Sequence, residues 1–355
     1  MKKSNTKVYF KTVIITTISL LLLLAMMVII IDPMMHYHKP FSRLCYVMKD
    51  EFFLNPGIAS KYDYDAIIVG DSSCQNFLTS IIKDERGLEA VKLTNTGAPF
   101  SESDEILRYA FKCNPDIKLV VRAVDSLMLS KDPDIKRYPK KDYYLYDDNV
   151  FNDVRYIFNI EMYKKCFTIL NDTRLGKKTW NMDMYSNWED FRDFGGYEML
   201  LASLEGEPTV DYTDEALSIA NAKENVLKNI VKTAREHQDT EFIVFMPPYH
   251  LAYYKSLLNA STFDTEFKVQ KVAIETLIDE PNIKLYSFCD DYEITTDWSY
   301  YCDMVHSKQD VNSRILEMML NDQHRITKDN YLDYLTEIKS FYSDFDYSTL
   351  IKEED

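Results

Sequence analysis

The 355-residue chain lacks several features that mark common classes of protein. It has only eight glycines and no Gly-rich loop of the kind that cradles a phosphate, so the sequence implies no nucleotide. Its six cysteines include no Cys-x-x-Cys pair and no metal-type spacing, which argues against a zinc site. Internal repeats and low-complexity segments are also absent. We therefore expect neither a metal nor another cofactor.

Basic residues are scarce relative to acidic ones. The chain has 41 Lys and Arg against 57 Asp and Glu, which gives a net charge of −16 at pH 7. Residues 1–31 carry four lysines and no acidic residue, so the rest of the chain carries −20. A surface this acidic repels nucleic acid and anionic lipid headgroups, and we expect neither as a partner.

The longest apolar run covers residues 12–31 and contains no charged residue. Its length, at ~1.5 Å per residue in a helix, is enough to cross the ~30 Å hydrocarbon core of a bilayer. Because four lysines precede the run, the positive-inside rule predicts a cytoplasmic stub over 1–11 and an extracytoplasmic location after Asp32. A cleaved signal peptide is the alternative, but residues 29–34 offer no small-x-small cleavage site. The run predicts an uncleaved, single-pass anchor in the cell membrane, followed by a juxtamembrane segment over 32–60.

Short apolar runs alternate with helical patterns over residues 61–322. The length and β-branched content of these runs are typical of buried parallel strands. The predicted strands are 66–69, 91–93, 117–121, 242–245 and 283–286. Because strands that alternate with helices form parallel sheets covered on both faces, the sequence predicts an α/β fold, a three-layer α/β/α sandwich around five parallel strands.

The strand pattern breaks between about residues 127 and 212, which we interpret as a mostly helical insertion. Residues 154–170 carry apolar side chains at helical spacing and predict one amphipathic helix. The stretch 180–197 is rich in aromatic and charged residues. The insertion is therefore either a lid or substrate platform, or an ordinary helical subdomain whose aromatics fill its own core.

The C-terminal segment, residues 323–355, predicts an amphipathic helix and an acidic tail. Tyr331, Leu332, Leu335, Ile338 and Tyr342 recur at helical spacing. The last residues, 351–355, are expected to fray.

Two short motifs more than two hundred residues apart carry the best clue to function. Gly70, Asp71 and Ser72 follow the first predicted strand, and Asp303 and His306 stand three residues apart near the end of the domain. A serine hydroxyl is a poor nucleophile unless a base takes its proton, and an imidazole does so best when a carboxylate fixes its tautomer. This set predicts acyl-ester chemistry, with Ser72 as nucleophile, His306 as base and Asp303 as the orienting carboxylate.

The cysteines and the neighbours of Ser72 leave alternatives open. Ser73 is an adjacent hydroxyl, although it suits the start of the next helix. Cys74 is a candidate reactive thiol, although a small packing residue also fits there. Cys289 and Cys302 are close enough in sequence to form a disulfide, with buried thiols as the alternative.

Other polar residues also follow predicted strands. Asn95 and Gly97 come after the second strand, Asp125 after the third, and Tyr249 and His250 after the fourth. Because chemistry in such sheets gathers at the carboxyl ends of strands, we expect these residues near Ser72. Asn95, Tyr249 and His250 are our candidates for substrate binding.

Together, Gly-Asp-Ser after the first strand, a turn after the second and Asp-x-x-His near the C-terminus resemble the SGNH or GDSL hydrolase superfamily over about residues 62–320. The membrane-anchored layout is most similar to proteins of cell-envelope acylation, such as the D-alanine transfer protein of teichoic acid and alginate acetylation proteins. The resemblance implies a flavodoxin-like sheet. It also implies two partners, a cell-envelope glycan or teichoic-acid-like polymer and a membrane O-acyltransferase.

The resemblance implies an oxyanion hole with three donors: the Ser72 amide, a glycine amide after the second strand and an asparagine side chain after the third. Gly97 fits the glycine position, with Phe100 as the alternative alignment. At the third position the chain has Asp125 between Val124 and Ser126, where the family has asparagine. An ionised Asp125 would repel the developing oxyanion, and loss of one such donor costs ~10² to 10³ in rate.

These observations support two classes of function. The first is an extracytoplasmic serine esterase or O-acyltransferase that acts on acyl esters of an envelope polymer. Water as acceptor makes it an esterase, and a glycan hydroxyl makes it a transferase. The second is a catalytically weak or inactive scaffold that keeps this fold to bind polymer or to partner a membrane acyltransferase. A receptor-type sensor is disfavoured because the predicted cytoplasmic stub is too short for a signalling domain.

Overall fold

The computed structural model describes residues 2–206, 208 and 210–351, and it divides the chain into two compact units. The first unit takes the described residues of 1–62 and 138–181. The second takes those of 63–137 and 182–355. The segment predicted as one insertion, 127–212, is thus shared between the two units.

The secondary structure alternates between strands and helices from residue 66 to residue 287 and ends in helices. The strands are β1 Ala66–Gly70, β2 Ala90–Thr94, β3 Leu119–Ala123, β4 Glu241–Met246, β5 Ile283–Ser287 and β6 Arg325–Ile326. The α-helices of the described residues are α1 Lys2–Ile31, α2 Glu51–Lys61, α3 Thr79–Arg86, α4 Phe100–Cys113, α5 Ser126–Leu129, α6 Val154–Ile157, α7 Ile160–Arg174, α8 Tyr197–Glu205, α9 Glu215–Val226, α10 Lys232–Glu236, α11 Leu251–Asn259, α12 Phe263–Leu277, α13 Tyr292–Thr295, α14 Gln309–Leu320 and α15 Tyr331–Asp344.

The second unit is an α/β structure built on one mixed sheet. Its strand order is β2-β1-β3-β4-β5-β6, and β1 to β5 are parallel while β6 is antiparallel to β5. All five predicted strands are present, but the prediction of a five-stranded, purely parallel sheet is wrong. The sixth strand has only two residues, paired through Leu285 with Ile326 and Tyr286 with Arg325. Two residues are too few to produce a period-2 pattern, so this strand left no signal in the sequence.

The parallel strands are buried on both faces, which explains why they read as continuous apolar runs. Every residue of β1 and β3 is buried. Two of the buried side chains are cationic: Lys92 on β2 and Arg122 on β3 are each at most 1% exposed. Such groups are rare in a core and need polar partners, so they mark places where the sheet binds neighbouring loops.

The first unit is built around α1. By length and composition α1 could cross a membrane, and the candidate span is Thr6–Ile31. Its last turns bury Ala25, Val28 and Ile31, and α7 packs against it. The amphipathic helix predicted over 154–170 is in fact two helices, α6 and α7, because Asn159 takes an extended conformation and caps α7 by accepting from the Glu161 amide.

The chain turns sharply after α1 around the carboxylate of Asp32. This carboxylate is 1% exposed and accepts from the amides of His36, Tyr37 and His38 at 2.7–2.9 Å. The hydroxyl of Tyr156 donates to it as well, at 2.7 Å. Four donors on one carboxylate make this turn a fixed junction between α1 and the rest of the first unit.

Helix α2 passes very close to this turn at Gly57. A β-carbon at Gly57 would lie 2.0 Å from the Met34 carbonyl oxygen, so only glycine fits there. The close packing adds to the rigidity of the junction.

The C-terminal segment contains α15, the helix that the spacing predicted, and it buries Leu335, Ile338 and Tyr342. Tyr331 is only partly buried and Leu332 is 52% exposed, whereas Tyr334, which the pattern did not include, is buried. A short 3-10 helix, Tyr347–Leu350, follows it. The fraying expected for 351–355 concerns mainly residues 352–355, which lie outside the described residues.

The six cysteines, all in the described part of the chain, form no disulfide. Cys289 and Cys302, the pair considered from sequence, are both buried thiols. Of the two alternatives, a disulfide or two buried thiols, the structure shows the buried thiols.

Candidate active site

The nucleophile turn begins where β1 ends. Gly70 has φ +151°, and a β-carbon there would lie 2.8 Å from the Cys74 sulfur, so the tight turn requires glycine. Asp71 then accepts from the Ser73 amide at 3.0 Å and from the Ser73 hydroxyl at 2.6 Å. These bonds close a 3-10 turn, Ser72–Cys74, which presents Ser72 at the carboxyl end of the sheet.

Ser72, His306 and Asp303 form a continuous chain of hydrogen bonds. The Ser72 hydroxyl donates to His306 Nε2 at 2.7 Å. The His306 Nδ1–H donates to Asp303 Oδ2, also at 2.7 Å. An ionised carboxylate can only accept, so it fixes the tautomer whose Nε2 is free to take the serine proton.

The loop that carries His306 is held as a small antiparallel turn. Tyr301 and Ser307 form an isolated β-bridge, and the Cys302 amide donates to the His306 carbonyl at 3.1 Å. Inside the turn, Asp303 Oδ1 accepts from the amides of Val305 and His306 at 2.9 Å each. The carboxylate is therefore oriented by its own loop as well as by the imidazole.

Asp303 is ionised over the usual pH range. Burial alone would raise the pKa of its carboxyl, but hydrogen bonds from the His306 ring and from the Val305 and His306 amides outweigh this and lower the pKa below its ordinary value. An anion beside Nδ1 stabilises the imidazolium that forms when His306 takes a proton. The arrangement can thus activate Ser72 for attack on a carbonyl carbon.

The turn after β2 lies against the nucleophile turn. The Asn95 amide donates to the Gly70 carbonyl at 3.0 Å, and the Asn95 carbonyl accepts from Ala98 at 2.9 Å. Gly97 lies within this turn at φ +64°, whereas Phe100 is already the first residue of α4. The structure therefore brings Asn95 and Gly97 to the strand edge that also carries Ser72.

Asp125, at the end of β3, belongs to a buried polar group behind the nucleophile turn. Its Oδ1 accepts from the Leu127 amide at 2.7 Å and from the Tyr249 hydroxyl at 2.5 Å. Burial raises the pKa of Asp125 well above its ordinary value, and the neighbouring Asp71 carboxyl, which is hydrogen-bonded to it, raises it further. The ionised Asp125 considered from the sequence is thus not the form that this environment favours.

Tyr249 and His250, expected to bind substrate, are both buried, at 2% and 0% exposure. Tyr249 is committed to Asp125. The His250 ring packs against Trp298, with ring centroids 4.8 Å apart, and its Nδ1 accepts from the Ala252 amide at 3.1 Å. Its own amide donates to the Met304 carbonyl at 2.9 Å, so His250 supports the His306 loop in this structure.

Trp188 and Asn76 also contact the triad region, and sequence reasoning did not single them out. The Trp188 indole N–H donates to the Ser72 carbonyl at 3.3 Å, and its ring lies edge-on to His306 with centroids 5.4 Å apart. Asn76 accepts from the Trp188 amide at 3.1 Å and donates to the Ser307 carbonyl at 3.4 Å. The only sequence signal for Trp188 was the aromatic stretch 180–197, and this stretch did not distinguish Trp188 from Trp180.

The buried Lys92 connects the nucleophile turn to the segment that carries Trp188. Its Nζ donates to the carbonyls of Gln75, at 2.8 Å, and Asp183, at 3.0 Å. Burial lowers the pKa of Lys92 to about 7, against a smaller opposing effect of the Asp183 carboxylate. Two distant parts of the site are therefore joined through one lysine.

The neighbouring alternatives to Ser72 have other roles in the structure. The Ser73 hydroxyl donates to Asp71 and so belongs to the turn. Cys74 is 0% exposed, and burial raises the pKa of its thiol far above the ordinary range. A thiol in that state is a packing group and not a nucleophile.

Among the described residues, no cluster of three or more His, Cys, Asp or Glu side chains could hold a metal ion. No protein-family model matches the chain, and no curated protein sequence is significantly similar to it. The functional conclusion therefore rests on the geometry of the triad.

Proposed function

We propose that this protein is a membrane-anchored serine esterase or O-acyltransferase that acts on small acyl esters, such as acetyl, of a cell-envelope polysaccharide or teichoic-acid-like polymer. The observation that carries the proposal is the hydrogen-bonded series from Ser72 through His306 to Asp303. The three side chains come from two loops separated by 230 residues of chain, and they take the order and roles of a Ser-His-Asp triad.

The reaction has two half-reactions. Ser72 Oγ attacks the ester carbonyl carbon while its proton passes to His306 Nε2, and the tetrahedral intermediate forms. The intermediate collapses as His306 returns the proton to the leaving alcohol, which leaves an acyl group on Ser72. His306 then takes a proton from water or from an acceptor hydroxyl, whose oxygen attacks the acyl carbon. The second tetrahedral intermediate collapses as His306 returns this proton to Ser72 Oγ, which breaks the Oγ–acyl bond and frees Ser72.

Membership of the SGNH superfamily belongs to this proposal. In its support, the first five strands take the order 2-1-3-4-5, a common order of doubly wound sheets, and Ser72 follows the first of them. The length and apolar composition of α1 support an uncleaved anchor, and the four lysines before its apolar run support a cytoplasmic N-terminus with the triad outside.

A second candidate function, a non-catalytic scaffold, is favoured by one observation at Asp125. The family places an asparagine donor there, but here Oδ1 is occupied by the Leu127 amide and the Tyr249 hydroxyl. A protein that binds polymer or a membrane O-acyltransferase without turnover would have no need of that donor.

The test is ester hydrolysis by the full-length protein in detergent micelles, with 4-nitrophenyl acetate and an acetylated oligosaccharide as substrates. Ser72→Ala should lower turnover by at least ~10³-fold, as expected for loss of a nucleophile. Ser73→Ala is the matched control, since it removes a hydroxyl from the adjacent residue, and it should retain most of the activity. A fluorophosphonate should label the wild type and Ser73→Ala at Ser72, and it should not label Ser72→Ala.

Equal background turnover in wild type and Ser72→Ala, with no labelling, would overturn the proposal and favour the scaffold. Asp125→Asn refines this result, because an asparagine restores the side-chain donor of the family. If the wild type hydrolyses esters slowly and Asp125→Asn does so faster, the protein is an enzyme whose turnover is limited by Asp125. Addition of an unacylated glycan then separates transfer from hydrolysis.

A further inference from the structure

Helix α7 has three faces of different chemistry. One face is buried in the first unit, and its residues are Met162, Cys166 and Ile169. A second face is apolar and outward, and its residues, which we call the α7 stripe, are Ile160, Tyr163, Phe167 and Leu170. The third face is polar and exposed, and its residues are Glu161, Lys164, Thr168 and Asn171. At 100° per residue, the stripe lies between the buried face and the polar face.

The α7 stripe is exposed far more than apolar side chains usually are. Ile160 is 63% exposed, Phe167 58% and Leu170 42%. The segment that leads into α7 adds Phe151, at 89%, and Phe158, at 48%. Large exposed apolar surfaces mark sites that contact another protein, a ligand or a membrane.

Three contacts fix the level of α7 along α1. Tyr156, just before α7, donates to Asp32 and accepts from the Met34 amide at 3.0 Å. In the middle of α7, the Cys166 sulfur lies 4.0 Å from the Met27 carbonyl oxygen. Thr173, near the end of α7, accepts from the Cys45 amide at 2.8 Å. The middle of α7 therefore lies beside the apolar part of α1.

Met27 precedes the end of α1, Ile31, by four residues, which corresponds to ~6 Å along the helix axis. If α1 spans a bilayer, a group beside Met27 lies about that far below the end of the span. Amphipathic helices that lie in the membrane plane bury their apolar face ~5–10 Å into the boundary between headgroups and acyl chains. The level of α7 and its exposed stripe fit that depth.

We propose that α7 lies in the membrane boundary on the side where the chain leaves α1, with the α7 stripe against phospholipid acyl chains and the polar face toward water. This inference rests on the anchor in the proposed function. A lipid phase is the occupant because the stripe adjoins a helix that itself exposes Met26, Ile29 and Ile30 at the same level. The exposed Lys164–Glu161 ion pair keeps the adjoining polar face hydrated.

The test is site-directed spin labelling of the full-length protein, one copy per nanodisc of phosphatidylcholine. Single cysteines replace Phe167, Ile160 or Thr168 in a Cys113→Ala background, because Cys113 is exposed while the other native cysteines are buried. Collision with oxygen, which concentrates in lipid, is compared with collision with a water-soluble nickel chelate. Phe167→Cys and Ile160→Cys should favour oxygen severalfold relative to Thr168→Cys, an exposed position on the polar face of the same helix.

A fourth label at Leu21→Cys, in the middle of α1, separates failure of this inference from failure of the anchor. If Leu21→Cys is lipid-exposed and Phe167→Cys collides with nickel as freely as Thr168→Cys, the stripe faces water and the inference is overturned while the anchor stands. If Leu21→Cys also collides freely with nickel, the anchor falls and the inference falls with it. Protection of Phe167→Cys from both reagents would mean a protein contact and would also overturn it.

Discussion

The two units of this protein differ in charge and in the surface that they expose. Residues 1–62 and 138–181 contain 16 basic and nine acidic residues, a net charge of +7, so the remainder of the −16 chain carries −23. The first unit exposes apolar side chains on α1 and α7, while the second holds the triad. The net charge of −16 is thus the sum of a positive first unit and a strongly negative second unit.

The acidity that repels anionic lipid headgroups belongs to the second unit, whose charge is −23. In the proposed topology Lys2, Lys3, Lys7 and Lys11 lie before the span, so the part of the first unit beyond it has 12 basic and nine acidic residues, a net charge of +3. Cations close to an anionic leaflet are attracted to it by ~1 kcal/mol each. The proposed anchor and the triad thus belong to units of opposite net charge.

The two units also use carboxyl groups differently. In the first unit, Asp32 organises a turn through four donors and has no access to solvent. In the second, Asp303 is 45% exposed at its side chain and orients a histidine. The first carboxylate should govern stability and the second should govern turnover, and the following variants test that contrast.

Asp303→Asn should have the largest effect, on activity alone. An asparagine amide can stabilise the tautomer with a proton on Nε2, which cannot accept the Ser72 proton, and loss of a triad aspartate of this kind lowers turnover ~10³ to 10⁴-fold. The unfolding free energy should change by less than ~1 kcal/mol, because the pair is partly exposed. Ester hydrolysis and denaturant unfolding check the two parts, with Asp310→Asn, an exposed carboxylate on α14, as control. Equal losses in both variants would contradict a specific role for Asp303.

Asp32→Asn should have the opposite profile. Whichever way the amide is placed, its NH₂ group faces two of the four donors, and each buried donor left without an acceptor costs about 1–3 kcal/mol. We expect a loss of about 2–5 kcal/mol in unfolding free energy and faster proteolysis within 32–60, with ester turnover of the remaining folded protein unchanged. Glu161→Ala, at an exposed position of α7, is the control and should cost well under ~1 kcal/mol. A fully stable Asp32→Asn would show that the turn does not depend on this carboxylate.

Lys92→Met should change how stability depends on pH. The folded pKa of Lys92 is about 7, and the unfolded value is ~10.4, so between these values the unfolded chain binds a proton that the folded protein does not. Stability of the wild type should therefore rise with pH across this window, by up to ~1.4 kcal/mol per unit, and fall as pH drops toward 7. The variant lacks this slope. Denaturant unfolding at pH 7, 8 and 9 measures it, and parallel curves for the two proteins would show that Lys92 stays charged when folded.

Much of the second unit was predictable because its signals are local. The apolar runs that became β1 to β5 are continuous in sequence, and their burial on both faces explains that continuity. Ser72 was identified because it follows a buried strand, and Asp303 and His306 because they stand three residues apart near the end of the domain. The two-residue β6 and the break between α6 and α7 were missed because each depends on a few residues without a period.

The site was predicted less completely than the fold. Trp188 could not be singled out, because its indole reaches Ser72 only after the segment from 182 onward joins the sheet unit. Tyr249 and His250 were placed correctly at the end of β4, but their burial depends on α11 and the His306 loop, which pack over them. The sequence shows that Tyr249 and His250 follow a strand, because that depends only on neighbouring residues. It does not show whether their side chains are exposed, because that depends on segments distant in sequence.

The sequence by itself determined the apolar span, the five parallel strands and the residue types of the triad, because each is written in the spacing or composition of a short segment. Tertiary structure alone decided that residues 138–181 pack with the N-terminal helix, that Asp125 favours its protonated form and that Lys92 has a pKa near neutrality. The physical reason is that burial and the electric field at a side chain are set by neighbours distant in sequence, and these neighbours meet only when the chain folds.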